Sequence, residues 1–599
     1  MLKPEWIPTP LVTDRKRPLI APVSRPSRLR PLALAIVIGA TALRIVWLRL
    51  VRRADIRAQA IVTRRMLERL GGVWVKVGQL LGMRRDLFSA EFCDVLSGLQ
   101  DRATGFAFEH TRRIIEEDLG KPIEAVFSQF EEAPFAAASI GQIHRAVLRR
   151  EGVAVAVKVR RPTIADAMQG DIRFVRFICN TAVRLRFYLM FRWNDFQREL
   201  DRTLSEELDY RFEATAIRDM RRNLKRHGIY APKIFREHLA ERVLVMEFVQ
   251  GALMSDVLRL RDEDPDRLAR WLLDNGIEEA RVGRRLWMSL ARQLFEDNYF
   301  HGDLHPGNIV LLRDSRIALI DFGSVGWLEA DFLTQYNEMQ RALARQQYAK
   351  AADLFLLLGP ELPAAGVEDC KNELVSFMRG WALRARTPKL SFSLKSMGYA
   401  YSQMVIILNR YRVPATWAFL RVNRAQLTLD TSLRALYPEM DYFKLMRRYN
   451  REATARHRRA AMKPEALVEQ VASLALEVPK LVRGAVEESF YNVEWVRRRA
   501  RTIQNTATKA AILGKMFANA LLCTTLLVVA AGVMLFSHQH GQWLPMTPGM
   551  AAWLDRVDPI PLEVWVGALL FLAATVFSGL RGRAQISQPE VAPSGIGRQ

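Results

Sequence analysis

This sequence predicts an α+β protein of two lobes, with a helical extension ahead of the lobes and a transmembrane helical hairpin behind them. Three observations carry the prediction. Short β-branched runs mark strands, above all Val153-Ala-Val-Ala-Val-Lys158-Val and the pair Ile309–Leu312 and Arg316–Ile320 around a turn at Asp314-Ser315. Long stretches with apolar residues at helical spacing flank these strands, before residue 125 and over 335–510. Two apolar segments near the C-terminus, 516–536 and 561–580, are each long enough for a bilayer core of about 30 Å.

The chemistry is concentrated in His301-Gly-Asp303-Leu-His305-Pro-Gly-Asn308 and, after the strand pair, Asp321-Phe-Gly323. An Asp followed five positions later by an Asn, then a hairpin leading into Asp-Phe-Gly, is how a protein-kinase-like fold holds Mg²⁺ and the phosphates of ATP. Asp303 is placed as base or water-positioner. Asn308 and Asp321 offer the oxygen ligands that a hard Mg²⁺ ion prefers. His301 and His305 stand at a helical zinc spacing, but Pro306-Gly307 ends any helix there, and no neighbouring Cys or Glu completes such a site.

The upstream parts of such a site come in order. Lys158 lies within an apolar strand, where an ammonium group requires an anionic partner. Glu206, Glu207, Asp209 and Glu213 crowd one helical stretch and are the carboxylate candidates. The run through Met246, Glu247 and Val249 to Gly251 reads as a strand entering a hinge, where main-chain groups at Glu247 and Val249 bind adenine. Where a protein kinase has a Gly-rich loop, this chain has Ala136-Ala137-Ala138-Ser139-Ile-Gly-Gln142, a stiffer nucleotide-binding loop because alanine avoids positive φ. No Ala-Pro-Glu element and no Ser/Thr-rich activation segment follow Asp-Phe-Gly, so a peptide-docking platform is not visible. Further upstream, Lys76-Val-Gly78-Gln79 sits in a helical pattern with Lys76 and Gln79 on one face.

With these motifs in view, the chain resembles the UbiB family of atypical kinase-like proteins over about residues 55–330. Its Lys-x-Gly-Gln motif is matched by Lys76, Gly78 and Gln79. Its Ala-rich loop is matched by Ala136 to Ala138, and its Glu-x-Asp motif by Glu207 and Asp209. The chain departs at Gly82, where the family often has Ser, and at 102–105, where a Pro-Pro pair is usual. The resemblance implies that Glu213 holds Lys158. It also implies that Lys76 pairs with Glu207, and that Lys76, Gln79, Glu207 and Asp209 gate the pocket. The implied activity is ATP hydrolysis supporting ubiquinone biosynthesis, coupled to a hydrophobic quinone precursor and to other ubiquinone biosynthesis proteins, rather than protein phosphorylation. A lipid or small-molecule kinase, or a non-enzymatic nucleotide-binding scaffold, are the alternatives.

The 599-residue chain carries a net charge of +24 and is 50% hydrophobic. That excess of cations suits an anionic lipid surface, and with no zinc-finger or RNA-recognition motif present, nucleic acid is not expected as a partner. Cys93, Cys179, Cys370 and Cys523 are isolated, which fits a reducing compartment. Cations flank the two C-terminal segments at Arg497–Arg501, Lys509, Lys515, Arg581 and Arg583. Between them, Arg556 stands against Asp555 and Asp558. The positive-inside tendency therefore places the kinase-like domain in the cytosol, and the family resemblance implies the inner membrane of the cell.

The expected organisation begins with a disordered basic segment at 1–30 and an apolar interfacial or membrane-associated helix at 31–53. The helical extension spans 54–125, the N-lobe 126–250, and the C-lobe with its helical extension 251–510. Spans at 516–536 and 561–580 and a tail at 584–599 complete it. Basic clusters such as Arg447, Arg448, Arg456, Arg458 and Arg459 add lipid contact.

Overall fold

The computed structural model describes residues 1–461, except 12–17, 21–29, 52–54, 98, 100–104, 138–139, 163, 185–191, 361, 363–365 and 388–389. Beyond 461 it describes only 532–539, 544 and 551, so the expected C-terminal hairpin lies outside the described residues apart from 532–536. The chain divides into two units, Met1–Val486 and Glu487–Gln599. In the second, residues 532–539 are helical, and the Leu544 N–H donates to Ser537 Oγ.

The helical extension opens with α1 (Arg30–Val51), α2 (Ile56–Leu70), α3 (Val73–Gly82) and α4 (Ala90–Ser97). Asp55 caps α2 by accepting from the Ala58 N–H. Gly71 and Gly72, at φ of 66° and 50°, make the tight turn into α3 that a β-carbon would strain. Gly78 has a different reason. A β-carbon there would stand 2.3 Å from Leu99 and 2.7 Å from Leu67, so the glycine lets α3 lie close against α2. Overpacking at such a site costs about 1–3 kcal/mol. Helix α1 is long and apolar enough over Arg30–Arg49 to cross a membrane. It begins one residue before the expected segment and continues through Arg44 and Arg49, because a helix places those cations on its surface while Leu34 and Leu48 face inward.

The N-lobe follows α5 (Phe108–Leu119) and the short α6 (Ile123–Val126). Its sheet uses β1 (Phe127–Phe130), β2 (Ala136–Ala137), β3 (Gly141–Leu148) and β4 (Ala154–Arg160). Helices α7 (Ile164–Arg184), α8 (Trp193–Leu208) and α9 (Tyr210–His227) come next, then β5 (Ile229–Tyr230), β6 (Ile234–Leu239) and β7 (Val243–Glu247). The strand order is β1-β3-β4-β7-β6, all antiparallel, with β2 on β3. Strand alternation decides where the lysine goes. Val155, Val157 and Val159 join Val243 and Val245 in a core under Ile114 and Ile115 of α5, so Lys158 projects from the opposite face.

The C-lobe begins at β8 (Ala252–Leu253) and α10 (Met254–Glu263), α11 (Pro265–Asp274) and α12 (Glu279–Phe295). Strand β9 (Phe300–His301) precedes the β10 (Ile309–Leu312) and β11 (Arg316–Leu319) hairpin, and β12 (Val325–Gly326) pairs back onto β9. In the hairpin turn, Asp314 and Ser315 both hold φ of 57°, and the Arg316 N–H returns to the Arg313 carbonyl. The remaining helices are α13 (Ala330–Ala344), α14 (Tyr348–Leu357), α15 (Val367–Arg386), the short α16 (Phe392–Lys395), α17 (Met397–Arg410), α18 (Trp417–Leu436) and α19 (Tyr442–Ala461).

The N-terminal ten residues, expected as part of a disordered segment, are tied down where they are described. The Leu2 N–H donates to Glu247 Oε1 at 2.5 Å, the Thr9 N–H to Asn275 at 2.8 Å, and Trp6 meets Tyr230 edge-on.

Candidate functional site

The cavity between the lobes, of about 210 Å³, is lined by Lys158, Asp303, Asn308 and Asp321 together with Lys76 and Glu207. It is smaller than the roughly 300–1,000 Å³ that enclose a whole drug-sized ligand. Lys158 Nζ donates to Glu213 Oε1 at 2.5 Å and lies 3.7 Å from Asp321 Oδ2. Burial alone would lower the pKa of this ammonium, but the Asp321 and Glu213 carboxylates outweigh it and raise it. Lys158 therefore stays charged.

Asp321 leaves 47% of its side chain open to the cavity. The desolvating walls push its carboxyl up, while Lys158 and the Gly323 N–H, which donates at 2.9 Å, pull it further down; the net is below the usual range. It is a carboxylate at neutral pH. His301 organises the loop beneath. Its Nδ1 accepts from the Asp303 N–H at 3.1 Å, so Nε2 carries the proton that goes to the Asp321 carbonyl at 2.5 Å. Burial lowers the His301 pKa and keeps the ring neutral. Asn308 donates to the Asp303 carbonyl at 3.0 Å, which fixes the amide with its oxygen free to face a ligand. His305 turns back on its own loop and accepts from the Gly307 N–H at 2.6 Å.

One amide oxygen and one carboxylate oxygen suit a hard cation that completes its shell with phosphate and water, the habit of Mg²⁺. Among the described residues no three His, Cys, Asp or Glu side chains gather in the manner of a closed metal cage. The donor set therefore fits Mg²⁺ bound together with a nucleotide.

The other predicted residues divide. Lys76 on α3 reaches Glu207 on α8 at 2.5 Å, and both line the cavity. Gln79 also lines it and donates to the Leu99 carbonyl at 3.3 Å. Asp209 lies elsewhere. It caps α9 through the Arg211 N–H at 2.9 Å and grips the Arg211 guanidinium. Ala136 and Ala137 pair with Ile143 and Gln142 as strand β2, while Ala138 and Ser139 fall outside the described residues.

Glu247 and Val249 do not line this cavity. The Glu247 carboxylate accepts from the Tyr230 hydroxyl at 2.8 Å and the Lys233 N–H at 3.1 Å, besides Leu2. Its own N–H goes to the Lys233 carbonyl. Val249 packs beside Val310 and Leu312.

Several site residues were not legible. Arg424 of α18 donates to Asp303 Oδ2 at 3.1 Å, and the Leu304 N–H donates to Thr428 of the same helix at 3.1 Å. Arg421, one turn earlier, reaches Glu199 at 3.0 Å. The spacing of 421, 424 and 428 on one helical face was the available signal, but nothing in the sequence ties that face to a loop more than a hundred residues earlier. Tyr210 was missed too. Its hydroxyl lies where a β-carbon on Gly141 would stand, 2.4 Å away, so that glycine is kept by the close approach.

Comparison with known proteins points to a kinase-like family. The ABC1 atypical kinase-like domain matches residues 98–355. A probable protein kinase UbiB from Providencia stuartii is 28% identical over 78% of this chain and 84% of its own length. A probable protein kinase UbiB from Tolumonas auensis is 30% identical over 66% of this chain and 70% of its own. The chloroplastic protein ACTIVITY OF BC1 COMPLEX KINASE 7 of Arabidopsis thaliana is 30% identical over 66% of this chain and 54% of its own.

Proposed function

The chain belongs to the UbiB family of ABC1 atypical kinase-like proteins, and on that premise we propose that it is a membrane-anchored ATPase supporting ubiquinone biosynthesis. In this reading it couples Mg-ATP hydrolysis to the handling of hydrophobic quinone precursors, beside other proteins of that biosynthesis. The observation that carries the reading is the convergence of Lys158, Asp303, Asn308 and Asp321 on one cavity that the Lys76–Glu207 pair also lines.

Each residue has a task set by its surroundings. Lys158, held charged by Glu213, orients the phosphates. Asn308 and Asp321 present the oxygens that take Mg²⁺, which when bound neutralises charge on the phosphate oxygens. Asp303, positioned by Arg424, accepts the proton of the attacking water or hydroxyl. The Lys76–Glu207 pair takes space beside the phosphates. Only residues 324–329 separate Asp-Phe-Gly from α13, which supports a substrate other than a peptide.

Anchoring rests on α1 and on the C-terminal segments 516–536 and 561–580, with the kinase-like unit on the cytosolic side of the inner membrane. Anionic lipid adds to the attachment. Of the basic cluster on α19, Arg448 and Arg456 are engaged by Glu452 and Glu296, which leaves lipid contact to Arg447, Arg458 and Arg459 in this proposal.

The test is phosphate release by the full chain in phosphatidylcholine–phosphatidylglycerol vesicles, with and without a prenyl phenol. Mg²⁺-dependent turnover raised by the phenol is expected. A phosphorylated phenol in the mass spectrum would identify a lipid kinase instead. No turnover under any lipid composition would favour a nucleotide-binding scaffold.

A further inference from the structure

Helix α18 carries hydrogen-bond donors at Trp417, Arg421 and Arg424, a spacing that keeps them on one helical face. Arg424 donates to Asp303 Oδ2 at 3.1 Å and lines the cavity between the lobes. Arg421 lines that cavity and also a second one, of about 440 Å³. Trp417 lines the second cavity but not the first. Seven residues of helix rise about 10 Å, so this face leads from Asp303 into the second cavity.

Glu199 and Arg202 of α8 also line both cavities. Glu199 accepts from Arg202 at 2.9 Å and from Arg421 at 3.0 Å, so two guanidinium groups share one carboxylate there. Arg192 and Arg198, further along the second cavity, share Asp195 in the same way. Arg84 is matched by the buried Asp86, and Glu329 is an exposed acid of the lining. Glu206, 3.6 Å from Arg202, lines the interlobe cavity only, and burial raises its pKa. Arginine therefore outnumbers carboxylate around the second cavity. Trp417 and Trp327 brace two of these cations, with Arg84 at 5.1 Å and Arg202 at 5.4 Å from the ring centroids.

Three buried donors of this lining have no acceptor among the described residues: the Trp417 Nε1–H, the Arg202 Nε–H and the Arg421 Nε–H. Buried donors are nearly always paired. Three around one cavity mark a place for an oxyanion, which accepts from several donors at once. Burial lowers the pKa of Arg421 by more than Glu199 raises it, and Arg202 adds to the fall. An anion beside that guanidinium would offset the cost.

We propose that the second cavity binds inorganic phosphate, the product that hydrolysis releases beside Asp303, at Trp417, Arg202 and Arg421. The phosphate oxygens accept from the three unpaired donors. Glu199 gives up one of its two guanidinium groups as the anion passes from the interlobe cavity into the second. The choice of phosphate rests on the ATPase reading above, whereas the anion site rests on the donors and the charge.

The test measures binding of radiolabelled phosphate to the full chain in phosphatidylcholine vesicles. The chain is first saturated with Mg²⁺ and β,γ-imido-ATP, a non-hydrolysable analogue whose γ-phosphate fills the interlobe cavity. Phosphate is expected to bind beside the analogue. Trp417→Phe keeps an aromatic ring and removes its donor. It should weaken phosphate binding about tenfold, the scale of a hydrogen bond to a charged group. It should also raise the phosphate concentration that half-inhibits ATP turnover by a similar factor. Arg202→Gln should do the same, and replaces Trp417→Phe if that variant does not fold.

Phosphate that binds only without the analogue would belong to the γ-phosphate position and overturn the second site. Equal affinity in wild type and both variants would overturn it as well. Binding lost when phosphatidylglycerol replaces part of the phosphatidylcholine would give the site to a lipid headgroup and overturn free phosphate. Weaker binding with unchanged inhibition would overturn its place on the product's route. Phosphate held beside the analogue by a chain that never hydrolyses ATP would remove the ATPase reading and the product role, and leave the anion site standing.

Discussion

The phosphate end and the hinge end of the cleft use acidic residues in opposite ways. At the phosphate end Asp321 is ionised, nearly half exposed to the cavity, and backed by Lys158. At the hinge end Glu247 is 3% exposed, and Tyr230, Lys233 and Leu2 all donate to its carboxylate. One acid has capacity left for a ligand and the other has spent it on the fold.

The strongest way to sharpen that contrast is Lys158→Met. It removes the phosphate-orienting charge and leaves Glu213 buried without its partner. Turnover should fall by about 10²–10³-fold, the scale for losing one electrostatic stabiliser. Stability should fall by about 3–5 kcal/mol in urea titration. Unchanged turnover would remove Lys158 from the chemistry.

Glu247→Gln should behave differently. It should cost about 1–3 kcal/mol through its buried partners while the KM for ATP stays within twofold. A tenfold rise in KM at unchanged stability would instead bring the Glu247 carboxylate into contact with the nucleotide, and the contrast between the two ends would fail.

The smallest effect is a pH dependence. Burial lowers the pKa of His144 and of His227, so both are neutral when folded and titrate near 6.5 when unfolded. Between those values the unfolded chain binds more protons, so stability rises with pH there. The part of the urea midpoint that a His144→Gln, His227→Gln double variant removes should therefore decline as pH falls below about 6.5. Imidazole resonances of His144 and His227 that titrate above about 6.5 in the folded chain would contradict the neutral assignment.

What was legible follows physical range. The β10–β11 hairpin and Lys158 were readable because turn chemistry and strand alternation are local. The site triad of Asp303, Asn308 and Asp321 was readable because five-residue spacing and a hairpin fix it within one short segment. Arg424 on Asp303 was not, since the loop and α18 meet only through tertiary packing. Glu247 shows the same limit from the other side. Nothing near it in sequence announces that Leu2 will donate to it. Asp209 carries a motif position, yet its local role is a helix cap.

The central claim is that Asp321 and its neighbours form a working Mg-ATP site. The most direct measurement is ATP hydrolysis by Asp321→Asn in anionic vesicles, with thermal unfolding followed in parallel. The account predicts turnover down at least a hundredfold with the folded state retained. Full Mg²⁺-dependent turnover by that variant would contradict it.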